Sequence, residues 1–187
     1  MKIVLIHGKN TDPNSNWYPW FGREVEKMGY EYIAPVMPSP ADPIIKEWLA
    51  EIEKIKPDEK TILIGHSRGG FAILRWLEKA TPKKKVKKVI LIAVNSGRLK
   101  DKAILSESDY GFYTDEGYDF EKIKSHCDDF VVLHSRDDKT VSFSAGESNA
   151  AGLSAKFLQF NDRGHFGKGI NEISEILEEI QPAIKRK

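Results

Sequence analysis

The apolar run Thr61-Ile62-Leu63-Ile64 leads without a linker into Gly65-His66-Ser67-Arg68-Gly69, after which Gly70-Phe71-Ala72-Ile73-Leu74-Arg75-Trp76-Leu77 reads as a helix. A strand that becomes a helix within so few residues brings neighbouring backbones into near contact, and glycine is the residue that leaves room for this. The apex residue is forced into unusual backbone geometry, so Ser67 is expected at an exposed nucleophile elbow. The adjoining strand and helix make the pattern far more restrictive than its Gly-x-Ser-x-Gly spacing alone.

The rest of the chain alternates strand-like and helix-like stretches, the pattern of a parallel sheet covered by helices on both faces. Strands are predicted over Ile3 to Ile6, Glu31 to Ala34, Val89 to Val94, Val131 to His134 and Lys156 to Phe160, in addition to the one before Ser67. Val89 to Val94 is the most apolar of them and should lie centrally. Helices are predicted over Trp17 to Met28, closed by Gly29, over Phe143 to Ala151 and over Ile170 to Ile180. A further helix follows the loop Pro35-Val36-Met37-Pro38-Ser39-Pro40, with Asp42 as its cap and Pro43 at its first position. Ile45, Trp48, Leu49, Ile52 and Ile55 give that helix its buried stripe. The stretch from Asn95 to about Asp119 exceeds an ordinary connection, so it should be a functional lid or a loop with helices of its own. The fold class expected is thus α/β, a three-layer sandwich, and residues 1–187 suit a single domain.

With 29 Lys and Arg against 28 Asp and Glu, the net charge of +1 provides no global field to draw nucleic acid or an anionic membrane. The run Lys83-Lys84-Lys85-Val86-Lys87-Lys88 is expected to be a solvated turn. Cys127 stands alone, so no internal disulfide can form, which fits a reducing compartment or indifference to redox state. His126, Asp128 and Asp129 lack the paired spacing of a zinc motif, and no metal is expected. Met1 to Gly8 is too short and too soon broken for a signal peptide, and no apolar run reaches membrane-spanning length, so a cytoplasmic protein is expected.

A serine hydroxyl is a poor nucleophile until a base removes its proton and a third group orients that base. In open parallel sheets such groups gather beyond the carboxyl ends of the strands. Of five histidines, His165 combines a carboxyl-end loop, a preceding Gly164 and a late place in the chain. His7 and His134 are better read as strand-end residues hydrogen-bonded near the site. For the acid, Ser135-Arg136-Asp137-Asp138 offers two carboxylates, of which Asp138 is the choice and Asp137 the alternative, a turn cap. An oxyanion would need two N–H donors: the amide of Arg68, and one from His7-Gly8-Lys9-Asn10, where Lys9 and Asn10 are both candidates. Trp17, Trp20, Tyr110, Phe112, Tyr113 and Tyr118 could supply aromatic walls for a small acyl or aryl group, or could simply pack the loops. The loop after the first strand lacks the glycine-rich turn of a nucleotide site.

With these residues in view, the chain resembles the small serine hydrolases related to retinoblastoma-binding protein nine and the bacterial YdeN proteins, a minimal branch of the α/β-hydrolase fold. The likeness rests on Ile64-Gly65-His66-Ser67, on Tyr113 with Phe120-Glu121-Lys122-Ile123-Lys124, on Ser135-Arg136-Asp137-Asp138 and on Arg163-Gly164-His165-Phe166, and so spans nearly the whole chain. It implies a triad of Ser67, Asp138 and His165, no cofactor, and a six-stranded parallel sheet without the first two strands of larger hydrolases. The family's namesake carries an L-x-C-x-E segment where this chain has Ile55, Pro57 and Glu59, which argues against a retinoblastoma-type partner. The activity expected is hydrolysis of small carboxylic esters or amides through an acyl-enzyme. The alternative is a protein-interaction module on a hydrolase fold with vestigial catalysis.

Overall fold

The computed structural model describes residues 1–99 and 106–185. Its sheet has six parallel strands, β1 (Lys2–Ile6), β2 (Glu31–Ile33), β3 (Thr61–His66), β4 (Lys88–Ile92), β5 (Phe130–Ser135) and β6 (Lys156–Phe160), in the order β2-β1-β3-β4-β5-β6. The order reverses between β1 and β3, so the loops leaving these neighbouring strands diverge and open a crevice at their carboxyl ends. Ser67 and the loop that follows β1 both lie there.

Among the described residues six α-helices cover the sheet: α1 (Tyr18–Lys27), α2 (Ile45–Ile55), α3 (Arg68–Lys79), α4 (Phe120–Lys124), α5 (Phe143–Leu153) and α6 (Ser174–Lys185). Because successive strand residues point to opposite faces, each strand supplies two cores. Leu5, Ile64, Ile90 and Val131 stand in one cross-strand row and pack under α1 and α6, against Phe21, Val25, Ile176 and Ile180. Val4, Leu63 and Val89 face the other way, beneath Trp48 and Ile52 of α2 and the apolar side of α3. These continuous apolar strands need cover on both faces, which explains the three layers. Among the described residues no helix is long and apolar enough to cross a membrane.

Several boundaries differ from the sequence reading. α2 begins at Ile45, with Ile44 extended and no side-chain cap, so Asp42 and Pro43 lie outside the helix. Residues 39–42 are already folded as a turn, in which the Asp42 amide donates to the Ser39 carbonyl. α6 starts at Ser174 rather than Ile170, because Ile170 closes a turn onto Gly167 and Gly169 adopts a positive φ of 93°. β4 stops at Ile92, since Ala93 turns to φ 52°. Lys88 is not part of a solvated turn: it is buried in β4 and its ammonium contacts both oxygens of Asp129, at 2.9 and 3.0 Å.

In its described residues the long stretch after β4 is pinned to the body of the protein. Residues 100–105 of it lie outside the described residues; the rest includes the 3-10 turn Glu107–Asp109 and is stapled to α3 by two arginines two helical turns apart. Arg75, buried, donates to the carbonyls of Phe112 (2.9 Å), Gly117 (2.9 Å) and Gly97 (3.3 Å) while pairing with Glu78 at 2.8 Å. Arg68 bonds Asp109 at 2.6 Å and lies 4.5 Å from the centre of the Phe112 ring. Arg75→Met would leave the Phe112 carbonyl without its donor and remove the guanidinium from the Gly97 and Gly117 carbonyls and from Glu78, which keep only their bonds from Thr114 and Asp119. It is expected to cost about 3 kcal/mol or more in urea-melt stability, against under about 1 kcal/mol if the segment were only loosely attached.

Candidate active site

Ser67 occupies the junction of β3 and α3 with φ 50° and ψ −118°, a conformation that L-residues rarely adopt. The turn is held by the Ser67 amide, which donates to the Ile92 carbonyl at 2.8 Å. Its glycines answer to crowding rather than to flexibility: a Cβ on Gly69 would collide with the Ile6 carbonyl, and one on Gly65 with the backbone of Gly70. Gly70 itself faces Val94, so the extra glycine of this elbow lets α3 approach the segment that leaves β4.

His165 and Asp138 meet Ser67 from far along the chain. The Nδ1 of His165 lies 2.8 Å from Asp138 Oδ2, and its Nε2 lies 2.9 Å from Ser67 Oγ. An ionised carboxylate can only accept, so Nδ1 carries the proton and Nε2 presents its lone pair to the hydroxyl of Ser67. The Asp138 side chain is fully buried, and its other oxygen accepts from the amides of Thr140 (2.7 Å) and Val141 (3.0 Å). Burial pushes its carboxyl upward, yet the bond from His165 and the two amides outweigh this and leave it below the ordinary value. Asp138 therefore stays ionised wherever the protein is folded near neutrality.

Asp137 sits beside it with a different task. Its Oδ1 accepts from the Ser135 hydroxyl and from the Gly164 amide at 2.9 Å, and Ser135 Oγ accepts from the Arg163 amide at 3.1 Å. One carboxylate thus faces the imidazole, while its neighbour anchors the loop that carries the imidazole. That division was open in the sequence, because adjacent Asp residues look alike until the direction of each side chain is known.

The loop after β1 completes the site. Asn10 has a positive φ of 60° and its amide donates to the Pro40 carbonyl at 2.8 Å, so it is spent and is not an oxyanion donor. Among the described residues the amide of Lys9 has no hydrogen-bond partner, and the same holds for the amide of Arg68 at the first turn of α3. The side chains of these two residues converge on the 3-10 turn: Lys9 Nζ bonds Ser108 Oγ at 2.8 Å, and Arg68 bonds Asp109. Asp109 also accepts from the Ser106 amide. Burial raises its carboxyl, but the Ser106 and Arg68 bonds dominate and hold it down at about 2.

The expected aromatic walls are largely core instead. Trp17, Phe112, Tyr113 and Tyr118 are buried, and the last three cluster around Phe71. Tyr110 is exposed and Trp20 packs against α1's own core. Their size suited them to fill space between loop and helix, which sequence spacing does not distinguish from lining a pocket. His7 is a strand-end residue as read, with Nδ1 donating to the Gly8 carbonyl and Nε2 accepting from the Met37 amide. His134, buried at the end of β5, donates to the Val141 carbonyl at 3.2 Å and lies 3.6 Å from Asp138. The single cysteine, Cys127, is buried, and burial lifts its thiol to about 12.

With this geometry in hand, comparison with known proteins is decisive. The serine hydrolase family model matches residues 3–176. The chain belongs to the serine hydrolase family. It is 33% identical over 166 residues to serine hydrolase RBBP9 of Rattus norvegicus, covering 88% of this chain and 85% of that protein. It is 28% identical over 167 residues to YdeN of Bacillus subtilis. The crystal structure of the B. subtilis ydeN gene product superposes with a TM-score of 0.87 over 99% of each chain, at 25% identity. Est1E of Butyrivibrio proteoclasticus shares the fold alone, with a TM-score of 0.71 at 14% identity, covering 96% of this chain and 88% of its own. The molecule is accordingly an α/β hydrolase.

Burial also sets an acid limit on this serine hydrolase. Desolvation lowers His7 and His134 below the ordinary histidine value of 6.5 and takes His66 down to about 3. The unfolded chain therefore binds more protons than the folded one below pH 6.5, and stability must fall as pH drops through that range. Urea midpoints should decline steadily from pH 7 to 4.5. A flat midpoint there would contradict neutral burial of these rings.

Proposed function

We propose that the protein hydrolyses small carboxylic esters, and amides by the same route, with Ser67 as nucleophile, His165 as general base and Asp138 as its orienting acid. The observation that carries this reading is the pair of contacts on one imidazole, 2.9 Å to Ser67 Oγ and 2.8 Å to Asp138 Oδ2. In the reaction Nε2 of His165 takes the proton of Ser67 as its oxygen attacks the carbonyl carbon, and the carboxylate of Asp138 stabilises the imidazolium so formed. The amides of Arg68 and Lys9 would receive the developing oxyanion, since both are unspent and flank Ser67 from its own turn and from the loop after β1. The imidazolium then returns its proton to the leaving alcohol or amine, and water repeats the sequence on the acyl-enzyme.

Small substrates suit the site because the segment after β4 is a pinned wall in its described parts and the larger aromatics nearby are committed to packing. The reading needs no metal or organic cofactor. A fluorophosphonate probe should label Ser67 of the native protein. Ser67→Ala should abolish labelling and reduce turnover of p-nitrophenyl acetate by several orders of magnitude. Asp138→Asn should lower kcat on the order of 10³- to 10⁴-fold, whereas Asp137→Asn, acting only on the loop, should lose far less. Equal losses at both positions, or undiminished turnover by Ser67→Ala, would defeat the assignment.

A further inference from the structure

His66, the residue preceding the nucleophile, is buried and makes two hydrogen bonds of opposite sense. Its Nε2 lies 2.7 Å from the carbonyl oxygen of His165, and its Nδ1 lies 2.6 Å from the hydroxyl of Tyr18. A carbonyl only accepts, so Nε2 carries the proton. Nδ1 is then bare and receives the hydroxyl proton of Tyr18. The Tyr18 oxygen in turn accepts from the Gly8 amide at 3.4 Å. One line of hydrogen bonds therefore runs from the loop after β1, through α1 and the elbow, to the backbone of His165.

We propose that His66 is a positioning residue for hydrolysis: held as the Nε2–H tautomer by Tyr18, it fixes the His165 backbone so that the imidazole spans Ser67 and Asp138. This deepens, and rests on, the function proposed above. The loop needs such a hold because the residues on either side of His165 have positive φ, 49° at Gly164 and 52° at Phe166, and the side chain of His165 remains 23% exposed. Trp17 supplies a second hold, its indole N–H donating to the Phe166 carbonyl at 3.0 Å. Two successive carbonyls of this loop are thus gripped by ring N–H donors, one from the elbow and one from the residue before α1. The groups facing His66 include Tyr18, His165, His7 and, further off, the Asp138 carboxylate. Burial first, then the proximity of His165, keeps its ring neutral, with its pKa at about 3, so the N–H it offers does not alter across the working pH range.

The test compares two substitutions of similar bulk. Gln at position 66 keeps one N–H donor and one acceptor, whereas Leu keeps neither. With p-nitrophenyl acetate, His66→Leu should lower kcat on the order of 10- to 100-fold, with KM changed by less than about twofold. His66→Gln should recover most of that loss at an equal or lower melting temperature. A folded His66→Leu with native kcat, or a Gln variant no faster than Leu, would overturn the proposal, because a space-filling role depends on volume and not on the donor. Should His66→Leu fail to fold, long-range ¹H–¹⁵N spectra of the native protein decide. They should show His66 as the Nε2–H tautomer without titration from pH 5.5 to 8.5, and an Nδ1–H signal or a titrating His66 would refute it. Native protein that fails to react with fluorophosphonate would instead bring down the hydrolytic reading and this inference with it, a result separable from a reactive enzyme indifferent to His66.

Discussion

The collision avoided at the end of β3 is the constraint on which the rest of the structure depends. Three glycines let β3, α3, β1 and β4 approach so closely that Ser67 is left in a left-handed conformation at the junction. Strain of this kind persists only where its surroundings over-determine it, and here they do: β1 and β4 flank β3 in the sheet, and the Ser67 amide is tied to Ile92. The strand order places the same junction beside the loop after β1. A crowded turn and an open crevice therefore coincide at one point.

Buried polar groups then give that point its chemistry. Low exposure would by itself make Asp138 a weak acid, but three N–H donors reverse the balance and keep it charged. The same burial acts on His66, His7 and His134 without a compensating close carboxylate bond, and holds them neutral. Loss of hydration leaves these histidines uncharged, while hydrogen bonds from N–H donors keep Asp138 an anion in spite of it. His165 differs in being partly open to solvent and in meeting a carboxylate at one ring nitrogen and a hydroxyl at the other.

Arginines on α3 extend this logic outward. Arg68 and Arg75 project from one side of the helix and bind the segment after β4 through its carbonyls and Asp109. That segment in turn touches Lys9 through Ser108. The described part of this segment is thus fastened to the helix that follows Ser67 and to the loop after β1, so that their geometries are coupled.

Much of this was legible in the residues themselves. Apolar runs of strand length, separated by amphipathic stretches, can bury themselves only as a parallel sheet with two helical layers, and the sixth strand has the ends its composition indicated. The elbow was legible because sterics at a strand-to-helix turn admit few sequences. His165 and Asp138 followed from their loops lying at strand ends. Other features depended on direction and distance, which one-dimensional order does not encode. Asp137 and Asp138 diverge only because one backbone turn aims them apart, and the Asn10 amide is spent because Pro40, thirty residues on, happens to arrive there. The aromatic residues became core and the lysine at the start of β4 became an internal cation when the chain packed around them. The link from Tyr18 through His66 to His165 joins parts of the chain far apart in order, and it exists only once the sheet has brought their ends together.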